Sequence, residues 1–376
     1  MDLPAVLPRC HHVNMTGGTS PHRGCVPPSD GCNRGFRQSR LLLRQTSRTA
    51  QKIQVFLLQL GAPNNVAAIE PFLQNLLEDV LPVPGFLRGW LARRIAKSRA
   101  PKVAPLYEKL GGGSPLLRNT EHQATALEQE LANRGLDARV VVCMRYAPPR
   151  AEAAVRTARS SLGAASWVAL PLYPQYSFTT TRSSIHELKC MCDKNEQSKL
   201  TAIEEYCVHP GYIAAMVECV SEGLARFSES EQTNLHLLFS AHGLPEKFVR
   251  AGDPYPEQTR RTVAAILKAL PGVFQSHLTF QSRVGPTRWL TPETAATVHG
   301  LGASGVKNLL VIPVSFVSDH LETLHELDID LAETARASGI THFERAPTVG
   351  TKPTFIAALA DIVVDHLYLN DKHQCP

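Results

Sequence analysis

Long apolar runs are missing from this sequence. Of its 376 residues, 43% are hydrophobic and 19% charged, ordinary values for a globular chain. A run such as Leu309 to Val314 falls far short of the ~20 residues that a membrane-spanning helix needs, so no transmembrane helix is expected. Cysteine is too sparse for a stapled fold: nine in 376 residues is not the density of a disulfide scaffold, and no charged-then-apolar signal segment opens the chain. A reducing compartment follows, the cytoplasm or an organelle interior. A spread-out positive surface is lacking too. The formal charge is +5, but Arg9, Arg23, Arg34, Arg37, Arg40, Arg44 and Arg48 stand against only Asp2 and Asp30 within residues 1–50. The rest is close to neutral, and nucleic acid is not an expected partner. Finally, no G-x-G-x-x-G follows the first apolar strand, which disfavours a dinucleotide enzyme.

What is present suggests more than one core, because chains beyond about 250–300 residues tend to divide. Two domains are expected, at 51–207 and 208–346, with 347–376 forming a C-terminal helix that packs back on the first. Residues 1–50 are rich in Gly, Pro, Ser, Thr, His and Arg and show no sustained apolar period until Leu41, the pattern of a disordered extension. Two readings of it stand side by side. Arginine-rich and acid-poor, it suits a mitochondrial transit peptide, yet it lacks a clear amphipathic helix; a dispensable tail, or a start placed upstream of the true one, looks the same. The location expected is accordingly cytoplasmic, or mitochondrial if the segment targets.

From Ile53 onward, short apolar runs alternate with stretches of helical period. Strands are predicted at Ile53 to Leu60, Ala138 to Met144, Trp167 to Leu172, Leu235 to Ser240, His277 to Gln281 and Asn308 to Val314. Helices are predicted near 121–134, 150–162, 211–227, 256–269, 292–301, 321–337 and 353–368. The fold class is therefore α/β, two Rossmann-like units, each a parallel sheet flanked by helices. Strands covered on both faces should read as unbroken apolar runs, and these do. In such sheets ligands bind beyond the carboxyl ends of the strands, so the residues just after each run carry the most information.

There His242 follows Leu-Leu-Phe-Ser-Ala in a loop shaped by Gly243 and Pro245. An imidazole in that place suits a metal ligand or a base near neutral pH; a loop histidine bonded to backbone is the plainer reading. After another strand, Glu322, Glu326 and Asp330 recur every four residues. On a helix this spacing aligns three carboxylates on one face, where like charges repel by a few tenths of a kcal/mol. Either the row is used, or it is a solvated acidic face near a helix N-terminus.

These residues bring a family into view. Leu60-Gly61-Ala62-Pro63, Tyr173 to Ser184, Ser240 to Pro245, Phe280 to Pro286 with Trp289-Leu290, and Ser318 to Asp328 resemble, in order, the hallmark segments of the ferrochelatases. The resemblance runs from about Ile53 to about Leu369, and Gly-Gly-Gly-Ser-Pro at 111–115 is similar to proteobacterial members. It implies insertion of Fe²⁺ into protoporphyrin IX to form protohaem, the last step of haem biosynthesis. His242 and Glu322 then match the iron-binding and catalytic pair. His320 and Glu326 match supporting polar groups, with Asp330 extending a proton relay, while Arg145, Tyr146 and Trp289 match residues lining the macrocycle pocket. Tyr173, Phe178, Trp289 and Phe316 are the apolar groups expected to grip and bend the ring.

The resemblance also implies that segment 81–100, which mixes Phe86, Leu87, Trp90, Leu91 and Ile95 with five basic residues, forms a lip that touches a membrane; by pattern alone it is equally an amphipathic surface helix. Some members hold a [2Fe-2S] cluster, and Cys190, Cys192, Cys207 and Cys219 are the thiols for one here, although buried free cysteines give the same pattern. Four positions depart from the commonest family pattern: Ala62 for glycine, Gly243 for serine, His325 for tyrosine and Arg182 for glycine. Two other readings remain, a coproporphyrin III ferrochelatase and a non-catalytic haem- or metal-binding module.

Overall fold

The computed structural model describes residues 52–81, 83–161, 166–283 and 287–373, so the readings of residues 1–50 lie outside the described residues. Strands β1 (Ile53–Gln59), β2 (Ala138–Met144), β3 (Ser166–Pro171) and β4 (Leu200–Ala202) form one parallel sheet in the order β2-β1-β3-β4. Strands β5 (Leu235–His242), β6 (Gln275–Gln281), β7 (Asn308–Pro313) and β8 (His342–Arg345) form a second in the order β6-β5-β7-β8. The α/β class is as expected, and so are the six long strands. The sequence pattern missed β4 and β8, since Leu-Thr-Ala and His-Phe-Glu-Arg are edge strands of three and four residues with no apolar run.

All seven residues of β1 are buried, and alternation along it divides two layers. Val55 and Leu57 enter a large core lying between the sheets; Phe56 and Leu58 face outward against Ala154, Val155 and Ala158 of the Ala151–Ser161 helix. The second sheet repeats the arrangement, with Leu237 and Phe239 in the shared core and Leu238 outside, against Val298, Leu327 and Leu331. Side chains of the Leu116–Asn133, Pro210–Leu224 and Pro353–His373 helices fill the space between the sheets. Each fully buried Leu or Phe there contributes about 1.5–3 kcal/mol, and the sharing of one core makes residues 50–376 a single compact unit. The Pro353–His373 helix lies against both Leu116–Asn133 and Pro210–Leu224.

In each sheet the chain winds to one side of the first strand and then to the other, so a crevice opens beyond the carboxyl ends of β1 and β3 and of β5 and β7. Glycines let the loops there approach closely. A methyl on Gly113, in the Gly-Gly-Gly run, would fall 2.2 Å from the Asn64 carbonyl oxygen in the loop after β1.

Candidate functional site

His242 is the last residue of β5, on the outer face shared with Leu238 and Ser240. Its backbone is held at both polar groups: the N–H donates to Ser315 Oγ at 2.9 Å, and its carbonyl accepts from the Tyr255 hydroxyl at 2.9 Å. The ring stands edge-on to Phe316, centroids 6.1 Å apart. Burial lowers the His242 pKa, opposed by the negative charge of Glu322 and assisted by His320. The imidazole is therefore neutral at neutral pH, with a lone pair to offer.

Opposite it, residues 321–337 do not form the regular helix that the sequence predicts. The helix Leu321–Leu324 gives way to a wider, π-type turn over Glu326–Leu331 before Ala332–Ala337 resumes, and the Asp330 N–H reaches back five residues to the His325 carbonyl at 3.0 Å. This insertion breaks the expected row of three carboxylates. Glu322 and Glu326 keep to the site, whereas Asp330 turns to His325 Nδ1 at 3.1 Å with its side chain 58% exposed. Asp330 as a relay behind Glu326 is corrected accordingly.

His320 Nδ1 lies 2.9 Å from the Ser318 carbonyl and its Nε2 lies 3.2 Å from Glu322 Oε2. A carbonyl only accepts, so Nδ1 carries hydrogen. Phe316 packs on the same imidazole with centroids 4.7 Å apart.

Two residues that sequence reasoning passed over complete the site, although both lie in the Phe280 to Pro286 segment directly at a strand end. Gln281 donates from Nε2 to the Glu322 carbonyl at 2.9 Å and to Glu326 Oε2 at 3.0 Å, and Ser282 Oγ donates to the same Glu326 oxygen. Ser282 takes φ of 63°, a left-handed conformation that costs a non-glycine residue free energy and is found where geometry is functionally constrained. Burial raises the Glu326 pKa above its ordinary value, the Glu322 charge adds to this, and the Ser282 and Gln281 hydrogen bonds oppose it. Tyr107, on the Gly85–Lys109 helix, is a third such residue: burial and the charge of Glu322 both raise its pKa, which brings the first half of the chain to the site. Among the described residues no three His, Cys, Asp or Glu side chains converge as a closed metal cage.

Trp289 also belongs here. It pairs with Pro245 and approaches Gly243, where a methyl would lie 3.2 Å from Trp289 Cε3 and 2.6 Å from the Gln281 carbonyl oxygen. The glycine that departs from the commonest pattern thus admits the indole beside His242. Arg182 has ordinary helical φ of −62° and stacks on Phe178 at 3.9 Å, so its backbone needs no glycine.

The remaining expected residues form a separate set beyond the first sheet. Arg145 bonds Ser183 Oγ at 2.8 Å and Asp79 at 2.9 Å, with Glu187 at 3.3 Å. The Tyr146 hydroxyl donates to Asp79, and Tyr173 lies 3.4 Å from Ser184 Oγ. Tyr146 is 2% and Tyr173 9% exposed. Both expected pocket tyrosines are thus largely buried in this structure, with their hydroxyls turned to Asp79 and Ser184.

The four-thiol set is corrected as well. Cys192 sits in the outer layer of the first sheet and Cys219 in the core between the sheets, so the sheet itself separates them, while Cys190 is exposed. Cys192 donates to the Leu188 carbonyl at 3.2 Å, and burial pushes the thiols of Cys192 and Cys207 up to about 11 and Cys219 up to about 12. These residues do not fit a cluster, which needs converging thiolates. The expected lip is a helix, Gly85–Lys109, that leaves Phe86 84%, Leu87 45% and Trp90 62% exposed; among the described residues no helix is long and apolar enough to cross a membrane.

Comparison with known proteins identifies the family. The family described as Ferrochelatase matches residues 52–367. A protein named ferrochelatase from Geotalea uraniireducens is 44% identical over 317 residues, covering 83% of this chain and 97% of its own. A ferrochelatase from Synechocystis sp. is 41% identical over 324 residues, covering 84% and 83%. Among solved structures, SirB from Bacillus subtilis with Fe3+ superposes with a TM-score of 0.53 at 10% identity, over 86% of this chain and 98% of that one. That likeness concerns the fold alone.

Proposed function

Since the chain belongs to the ferrochelatase family, we propose that it inserts Fe²⁺ into protoporphyrin IX, with His242 and Glu322 meeting the metal and the pyrrole nitrogens. The observation that carries this reading is a desolvated, neutral His242 imidazole within the field of the Glu322 carboxylate, which His320 Nε2 approaches to 3.2 Å at the crevice of the second sheet. Iron here is substrate, to be held and then released. A nitrogen and an oxygen ligand suit that task better than a closed cage of thiolates, which would retain the metal.

Metalation also requires removal of two pyrrole protons. Neutral His242 has an acceptor to offer, and the Glu322 carboxylate lies 3.2 Å from His320 Nε2. Glu326, held protonated more readily than an ordinary carboxylate, stands behind Glu322 to receive or return one. Phe316, edge-on to the imidazole, and Trp289, beside Gly243, supply apolar surface for the ring.

Protoporphyrin is favoured over coproporphyrin III by the state of the nearby cations. Arg145 is occupied by Asp79 and Glu187, and Arg345 by Asp319 and Asp328, which supports a ring with two propionates over one with four. Iron needs no further cofactor in this scheme. The exposed Phe86, Leu87 and Trp90, on a helix that also carries Arg88, Arg93, Arg94 and Lys97, give a face for peripheral contact with an anionic membrane from the cytoplasmic side, where an apolar substrate is supplied. The test is Fe²⁺ insertion measured with both porphyrins, together with His242→Ala. Insertion is expected to be faster with protoporphyrin and abolished by the substitution, while porphyrin binding, read by fluorescence quenching, persists. A His242→Ala protein that inserts iron at a near-normal rate defeats the assignment.

A further inference from the structure

One chain of buried hydroxyls is not explained by packing. Ser240 and Thr279 are 0% exposed and Thr294 is 2% exposed, and they sit in or beside an outer layer otherwise built from Leu238, Val298, Leu309, Val311 and Leu327. Apolar residues of similar size would fill this space without the cost of burying polar groups. The chain's bonds run two ways. Thr294 donates to Thr279 at 3.0 Å and Thr279 donates to the Phe239 carbonyl at 3.3 Å, while Ser240, whose oxygen lies 3.2 Å from that of Thr294, donates to Gln281 Oε1 at 2.7 Å. That last bond ends on an amide oxygen, which only accepts, so the Ser240 proton is committed to it.

The consequence falls on the other end of the amide. With Oε1 held by Ser240, the NH₂ group of Gln281 must face the Leu321–Leu331 segment, and its two hydrogens go to the Glu322 carbonyl at 2.9 Å and Glu326 Oε2 at 3.0 Å. An inverted amide would set its oxygen against that carbonyl and carboxylate, two acceptors it cannot satisfy. Ser240 lies on the same face of β5 as His242, two residues upstream. We infer that Ser240 is a positioning residue for metal insertion: by fixing the orientation of Gln281 it registers the strand that carries His242 against the turn that carries Glu322 and Glu326. This rests on the proposed chelatase function and adds to it a residue that touches neither iron nor porphyrin.

A double-mutant cycle on the full chain tests it, with Ser240→Ala, Gln281→Ala and the double variant, and with Ser240→Cys as a second variant that keeps volume. Losing one well-aligned hydrogen bond at a pre-organised site should lower kcat on the order of tenfold in Ser240→Ala, with KM for Fe²⁺ and for porphyrin unchanged. Placed on Gln281→Ala, the same change should cost nothing further, because the effect passes through the amide. Thr279→Val removes a hydroxyl of the same chain that does not touch Gln281; it should lower the unfolding midpoint and spare kcat. Equal losses of kcat from Ser240→Ala with and without Gln281, or a loss from Thr279→Val as large as that from Ser240→Ala, overturn the inference in favour of a purely structural role. A readout independent of turnover separates this from the proposed function. The Gln281 side-chain NH₂ should be protected from hydrogen exchange in the wild type and lose protection in both Ser240 variants. Unchanged exchange in a chain that inserts iron strikes the inference alone, whereas a wild type that inserts none strikes the proposed function.

Discussion

Gln123 offers a sharp test of how the first half of the chain holds the loop that carries His320. It is fully buried on the Leu116–Asn133 helix. Its Nε2 donates to the Gly350 carbonyl at 2.8 Å and the Val317 carbonyl at 3.3 Å, and its Oε1 accepts from Ser318 Oγ at 3.0 Å. Gln123→Leu keeps the volume and removes all three. Two well-formed hydrogen bonds at roughly 1 kcal/mol each, plus a weaker third, amount to about 2–3 kcal/mol. The figure is not larger because a cavity of about 410 Å³, lined by Ser318, Asp319 and Gly350 among others, adjoins the clamp and can admit water to the orphaned groups. Catalysis should suffer more than stability. The Ser318 carbonyl anchors His320 Nδ1 at 2.9 Å, and a displacement of about 1 Å at a reacting group costs up to ~100-fold in rate. The expected result is a urea midpoint lowered at unchanged slope, with kcat for iron insertion reduced by about ten- to a hundredfold. A variant within about 0.5 kcal/mol of wild type that turns over normally would refute the idea that this amide sets the loop.

Two further outcomes follow from the site and the lip. Because burial raises the Glu326 pKa above its ordinary 4.5, the folded state favours the protonated acid; wild type keeps its full stability below that ordinary value and loses some as pH rises through the raised one. Glu326→Gln should therefore match wild type in thermal midpoint near pH 4 and exceed it at pH 7, and a difference constant across that range would show that burial is not the cause. On the lip, Phe86→Glu with Trp90→Glu should cut co-sedimentation with anionic vesicles by at least about tenfold, each buried aromatic being worth roughly 2 kcal/mol; unchanged sedimentation removes the membrane contact.

The parallel sheets were legible because β1, β3, β5 and β7 are covered on both faces and so could only be written as apolar runs. His242 stood out because it closes the apolar run that forms β5, and Glu322 because it belongs to the acidic segment that follows β7. What the sequence concealed was the backbone between Leu324 and Leu331. Four-residue spacing of Glu322, Glu326 and Asp330 presumes 3.6 residues per turn, and a single wide turn rotates Asp330 out to His325. No local propensity announces such an insertion. The burial of Tyr146 and Tyr173 was equally hidden, because a residue after a strand is exposed or covered according to how distant loops close over it. The cysteines mislead for a related reason: Cys192, Cys207 and Cys219 are near one another in sequence, but a sheet passes between layers that sequence distance does not register.

The shared core also bears on how such a site is kept in register. Two lobes joined by a flexible linker would allow the loop that carries His320 to drift relative to the half that carries the Gly85–Lys109 helix. Here Asn119 Nδ2 donates to the Asp319 carbonyl at 3.1 Å, next to the Gln123 clamp, and Arg345 ties Asp319 to Asp328 at the far side of the wide turn. Tyr107, from the helix that carries the exposed aromatic lip, stands within the field of Glu322. A ring that must be bent before it accepts a metal needs gripping and delivery to be coupled at short range, and Phe86, Trp90 and Tyr107 share the one helix Gly85–Lys109, whose Tyr107 end faces the charge of Glu322.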